Sequence, residues 1–143
     1  MGRWFLSILY SLGNYTDMLK ELNAIQLLEI AQSSKTKDNC EHCAPLSCQG
    51  WESLPSGFDK ETLIPLGTLR VEGAPECWDE YHPNGTNQWS GDAPISVQHY
   101  PYNRSDVFEC KACQRKFLNY TEYGGYYLDE RIRELNPEFI IDI

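Results

Sequence analysis

A chain of 143 residues with 41% hydrophobic content is long enough for one folded domain and too apolar for a disordered one. Its net charge of −9 disfavours nucleic acid, whose affinity for proteins comes largely from Lys and Arg displacing counterions. The same charge suits a basic protein partner, which it would attract and steer, or simply keeps the chain soluble.

Arg3 precedes an apolar run over 4–12, and Ser11 and Gly13 are small residues of the kind found before a signal cleavage site. The run is too short to span a bilayer. Asn-x-Ser/Thr sequons at Asn14, Asn84, Asn103 and Asn119 keep a secreted reading open beside a cytoplasmic one. Thr16 or Asp17 is placed to cap an amphipathic helix over 16–32. Its stripe is Met18, Leu22, Ile25 and Leu28, widened by Leu19 and Ile30. A polar linker over 33–38 follows.

The linker leads to a first Cys-x-x-Cys pair, Cys40 and Cys43. Pro45, Pro55 and Pro65 then break the chain into turns. The first plausible strand covers 66–71. From 71 to 103 there is no Lys or Arg, while Glu72, Glu76, Asp79, Glu80 and Asp92 are present. Trp78, Tyr81 and Trp89 stand among these carboxylates. Turn signals make the stretch loop-rich. Two readings apply: aromatics that pack a loop onto the sheet, or a partner site made by Glu76, Trp78, Asp79, Glu80, Trp89 and Asp92.

Residues 95–99 alternate apolar and polar, which predicts a strand with one buried face. Strand patterns at 107–109 and 116–120 flank a second pair, Cys110 and Cys113. Strand, Cys-x-x-Cys turn, strand is the hairpin of a zinc ribbon. Gly124-Gly125 between Tyr123 and Tyr126 predicts a tight turn. Asp129 is placed to cap a short C-terminal helix over 129–136, stopped by Pro137. The apolar tail over 139–143 is an edge strand or a docking segment.

A two-residue spacer lets both thiolates of a pair face one ion from one tight turn, and structural zinc takes four ligands. Cys40, Cys43, Cys110 and Cys113 are therefore assigned to one structural Zn2+ per chain. The long insertion between the pairs is permitted, because loop-closure cost grows slowly with length. Ala44 and Gln114 stand where such turns often carry Gly. Cys48, Cys77, His42, His82 and His99 are competing ligands. In an oxidising compartment the six cysteines read instead as disulfides, and that alternative stays open.

Asp79, Glu80, His82 and His99 are the residues an acid–base site would use, but no catalytic motif surrounds them. Arg104, Lys111, Arg115 and Lys116, with Tyr100, Tyr102 and Phe117, could form a small stacking and phosphate patch. The alternative is that these cations make ion pairs with nearby acids.

Several runs carry a resemblance. They are Trp51-Glu52-Ser53-Leu54-Pro55, Gly67-Thr68-Leu69, Asp79-Glu80-Tyr81-His82-Pro83 and Tyr100-Pro101-Tyr102-Asn103-Arg104. They continue in Asp106-Val107-Phe108, the Cys110/Cys113 pair, Tyr120-Thr121-Glu122-Tyr123-Gly124-Gly125-Tyr126-Tyr127 and Arg131-Ile132-Arg133. In these runs, from about Cys40 to Leu135, the chain resembles a family of small, mostly uncharacterised bacterial proteins. The resemblance implies a bacterial, cytoplasmic protein and no particular activity. It also implies that the position of Ser105 often holds Cys in relatives, a further competitor for the ligand set.

The expectation is one α+β domain over 1–143. It comprises an N-terminal amphipathic helix (16–32), a small antiparallel sheet with a zinc-ribbon-like hairpin and an inserted loop-rich subdomain (39–128), and a short C-terminal helix (129–136). The expected function is non-enzymatic: a cytoplasmic zinc-binding protein that takes a basic protein partner, with no membrane and no nucleic acid. Its most concrete form is an immunity protein that neutralises a cognate basic toxin by covering its active site. The alternative is a zinc-ribbon accessory protein in transcription or nucleic-acid binding.

Overall fold

The computed structural model describes residues 19–34, 40–46 and 48–142. The run over 4–12, the Asn14 sequon and the expected caps Thr16 and Asp17 lie outside them. The described residues form one α-helix and seven strands: α1 (Ala24–Gln32), β1 (Glu52–Ser53), β2 (Leu63–Thr68), β3 (Ile95–Ser96), β4 (Asp106–Cys110), β5 (Lys116–Tyr123), β6 (Leu128–Glu134) and β7 (Ile140–Ile141). Five of these make an antiparallel sheet in the order β1-β6-β5-β4-β2, and β3 pairs with β7 in a separate parallel ladder. The class is α+β, as expected.

Opposite residues on neighbouring strands share a face, and successive residues alternate. Phe117 lies opposite Phe108, and Asn119 opposite Ile132. Leu118 lies opposite Val107 and Arg133, and Tyr120 opposite Arg131. The sheet therefore divides two cores. Phe108, Phe117, Ile132 and Leu63 share one with Cys40, Cys43, Cys110 and Cys113. Val107, Leu118 and Tyr120 share the other with Leu27, Trp51, Ile95 and Tyr102. β5 is buried along most of its length because both of its faces are covered.

The helix begins later than expected. Asn23 caps it: its Oδ1 accepts the Gln26 N–H at 2.8 Å, and Gln26 Oε1 accepts the Asn23 N–H at 2.9 Å. This reciprocal pair satisfies two backbone donors at once. Before it, the chain is extended against β2: the Leu22 N–H donates to Thr68 O and the Thr68 N–H to Lys20 O, both at 2.8 Å. Gly67 permits this approach, since a Cβ there would come within 2.7 Å of Lys20 O. The buried stripe is Ala24, Leu27 and Ala31, and Ile25, expected to be buried, faces solvent.

The expected C-terminal helix is replaced by β6. Charges at Asp129, Glu130, Arg131, Arg133 and Glu134 resemble a solvated helix, yet they find partners across the sheet. Arg131 bonds Glu122 and Asp129 at 3.2 and 3.0 Å, and Glu134 takes Arg115 at 2.7 Å. Pro137 begins a 3-10 turn, Pro137–Phe139, rather than stopping a helix; Asn136 caps it. β2 lies earlier than the strand expected at 66–71. It ends where Arg70 turns to bond Asp106 at 2.8 Å. Of 95–99 only Ile95 and Ser96 pair, because the His99 N–H closes a turn onto Ser96 O.

Arg133 locks this side of the molecule. It is fully buried, and its guanidinium donates to Gln49 O (3.0 Å), Gly91 O (3.2 Å), Ala93 O (2.8 Å) and the Tyr102 hydroxyl. One planar fork thus pins two loops and a core tyrosine to β6. Arg133→Lys keeps the charge but not the fork. It is expected to lower stability by about 3 kcal/mol, by leaving buried carbonyls unpaired. A urea titration with unchanged slope and a lower midpoint would show it.

Candidate metal centre

Two tight turns meet beside the sheet. The first carries Cys40 and Cys43 and is closed by the Ala44 N–H donating to Cys40 O at 3.0 Å. The second joins β4 to β5 and carries Cys110 and Cys113; the Gln114 N–H donates to Cys110 O at 2.9 Å. Gln114 has φ of +65°. It adopts the left-handed conformation that Gly takes most easily, which accounts for the Gly common at that place in such turns.

The four sulfurs are buried and lie within 4.8 Å of one another. Cys40 Sγ is 3.7 Å from Cys110 Sγ, and Cys43 Sγ is 3.3 Å from Cys113 Sγ. Tetrahedral zinc at about 2.3 Å from each sulfur sets ligand sulfurs about 3.8 Å apart. The spacing is far beyond the ~2.0 Å of a disulfide, and all six cysteines are free. The arrangement can hold a metal ion.

The surroundings treat the thiols differently. N–H groups of Cys43 and His42 draw Cys40 down to about 6, against the pull of burial. Burial pushes Cys43 and Cys113 up. Arg115 sits beside the cluster, with Nη1 3.8 Å from Cys43 Sγ and its other edge on Glu134 at 2.7 and 2.9 Å. A guanidinium there offsets the negative charge that several thiolates would gather.

Of the competing ligands, His42 lies within the first turn but is exposed and outside the cluster, and the others are elsewhere. Cys48 is buried, donates to Leu46 O at 3.2 Å, and is pushed up to about 12 by burial. Cys77 lies near Asp79 O at 3.9 Å. His82 bonds Glu80 and Thr86, each at 2.8 Å, and His99 bonds Ser96 at 2.5 Å. Ser105 is buried and donates to Pro101 O at 2.9 Å. Among the described residues, the four cysteines are the only close group of metal-ligating side chains.

The residues assigned to a partner site are exposed. Trp78 is 59% exposed and Trp89 51%. Arg104 lies over Trp78 at 4.1 Å and reaches Glu76 at 3.9 Å. Arg131 lies over Trp89 at 4.6 Å. Glu76, Asp79, Glu80 and Asp92 are exposed, and Asp79 O accepts the Tyr100 N–H at 2.9 Å. The cations around the second turn do not make a stacking patch. Lys116 is buried between Glu109 (2.9 Å) and Gln114 O (2.6 Å), and Phe117 and Tyr102 are core residues. Asn119 is buried, with its amide nitrogen on Arg131 O at 2.9 Å, and that of Asn103 is on Cys77 O at 2.8 Å; both are turned inward rather than offered for glycosylation. No helix among the described residues is long and apolar enough to cross a membrane.

Comparison with protein-family models, with curated proteins and with solved structures gave no match. Sequence reasoning overlooked Arg133 and the Arg131–Glu122 pair, whose only trace was two arginines at alternate positions beside Ile132.

Replacing any one of Cys40, Cys43, Cys110 or Cys113 by Ser is expected to weaken the thiolate charge-transfer absorption of a cobalt(II)-loaded protein and shift its d–d bands, whereas Cys48→Ser changes neither. Gln114→Gly is expected to leave metal content unchanged. Gln114→Ile forces a β-branched residue into the left-handed region and lowers stability by about 1–2 kcal/mol, measured by urea titration.

Proposed function

We propose that the cluster is a closed structural zinc site, and that it staples a non-enzymatic binding protein whose partner is basic. One observation carries the first part: four buried sulfurs, from two distant segments, lie within 4.8 Å of one another. Four thiolates in a tetrahedral set favour zinc over harder cations, and a fully protein-ligated, buried ion leaves no open position for substrate. Its energy of binding is then energy of folding. The β4–β5 hairpin plays the part of a zinc ribbon in this reading.

The second part is supported by charge and exposure. The stretch 71–103 has no Lys or Arg, and its exposed acids flank two exposed tryptophans along the sequence. Acidic groups around aromatic anchors suit a cationic protein surface. An immunity-type protein that covers the active site of a basic toxin, such as a nuclease, is the most concrete version.

Freshly purified protein is expected to carry one zinc per chain, with all six thiols titratable after denaturation. Iron in place of zinc, or no metal and few free thiols, would sink the assignment. For the partner, binding of a panel of basic nucleases should weaken as salt rises. It should also weaken on combined charge reversal of Glu76, Asp79 and Glu80. Binding indifferent to both changes removes the acidic surface from the account.

A further inference from the structure

Four of the nine large hydrophobic side chains exposed among the described residues lie at the turn between β5 and β6. Tyr123 is 76% exposed, Tyr126 104%, Tyr127 60% and Leu128 67%. None of them supports either core. Exposed aromatic clusters of this kind mark interaction sites, because Tyr offers large rigid contact area at low entropic cost.

The tip is built rather than loose. The Gly124 N–H donates to Tyr127 O at 2.9 Å, closing the turn. The Tyr127 ring lies directly over Gly124, where a Cβ would come 2.5 Å from its Cε1. Gly124 thus allows the ring to fold back, and Tyr126 projects beyond it. At the base, Glu122 and Asp129 lie opposite each other. Such like charges repel. Arg131 bonds both, and Ser53 Oγ donates to Asp129 at 2.8 Å.

The same base joins the tip to the two exposed tryptophans. Arg131 lies over Trp89 at 4.6 Å. The Tyr100 hydroxyl donates to Glu122, and the Tyr100 ring packs on Trp78 at 5.3 Å. Trp78 and Trp89 therefore lie on the Glu122 and Arg131 face at the base of the tip, whereas Tyr123 and Leu128, one residue out of phase, lie on the opposite face. The two cations at the base of the tip, Lys60 and Arg131, each have a carboxylate partner. The charge left over is negative, since Glu122, Asp129 and Glu130 at the base outnumber these cations. A second copy of this chain, or an anionic membrane, would meet like charge.

We propose that the Tyr123–Leu128 hairpin tip is the apolar anchor by which this protein docks into a hydrophobic pocket rimmed by basic residues on a partner protein. The assignment rests on the reading of a basic partner above and adds the element that would enter the pocket.

A random peptide library displayed on phage, panned against the intact zinc-loaded protein, tests it. Enriched peptides are expected to be cationic with an aromatic or aliphatic centre. Their affinity should fall about ten-fold or more in Tyr126→Ser, and stay close to the original in Tyr126→Phe. Gly124→Ala removes no contact but displaces the Tyr127 ring, so it should weaken binding too. Unchanged zinc content and near-ultraviolet circular dichroism would show that the variants fold. If the charge reversal of Glu76, Asp79 and Glu80 abolishes binding but tip variants do not, the basic partner stands and the tip assignment falls. If neither changes binding, or enriched peptides are neutral or acidic, both fall. Self-association that Tyr126→Ser dissolves, or binding to phosphatidylcholine vesicles, would assign the tip to a different occupant and overturn the proposal.

Discussion

Four sulfurs held within 4.8 Å constrain everything on one side of the sheet. The core there is small: Leu46, Leu63, Phe108, Phe117 and Ile132 surround the cysteines, with Leu54 and Phe58 at its margin. The segment 40–46 contributes no strand to the sheet. It is held by its sulfurs and by Leu46, while Cys48 O accepts the Glu134 N–H just beyond. Bringing buried thiolates together without a cation is costly, as each repels the others in a medium of low polarity. An ion held there would convert that cost into cohesion, and Arg115 would offset the charge that remains.

The opposite face is organised by a different device. Trp51 packs between Tyr102 and Tyr120, with ring centroids at 5.6 and 4.7 Å. Arg133 gathers carbonyls from the loops that cover this face. A buried guanidinium without a carboxylate is unusual, and here the charge is spread over three backbone oxygens and a phenol. Arg131, two residues earlier and on the same face, performs the corresponding work nearer the hairpin tip. The two arginines thus hold the loop-rich stretch onto the sheet, while the cysteines hold the segment behind it.

The parts of this arrangement that were legible share a local origin. A Cys-x-x-Cys turn is specified by a few residues, and so are strands that flank it with alternating apolar side chains. The convergence of two pairs across a long insertion followed from ligand count alone. The misread parts depend on distant partners. β6 has the charge pattern of an exposed helix, and only the acids of β5 and the carbonyls of covering loops make Arg131 and Arg133 strand residues. The helix start was misplaced because Asn23 and Gln26 outcompete earlier candidates once residues 20–22 lie along β2. Glu76, Asp79, Glu80 and Asp92 were legible as exposed acids. That Trp78 and Trp89 share one surface was not, since Tyr100, Glu122 and Arg131 connect them only in three dimensions.

The two halves of the cysteine cluster also differ in when they come into being. Cys43 and Cys113 are 70 positions apart. At a synthesis rate of about 5–20 residues per second, the first pair leaves the ribosome about 4–14 s before its counterpart. β4, β5 and β6 emerge in or after that interval, so no sheet exists to shelter Cys40 and Cys43 while they wait. The nascent chain therefore presents an open dithiol to whatever soft metal or oxidant the surrounding fluid contains, and the environment at that moment decides what the first pair meets before the second arrives.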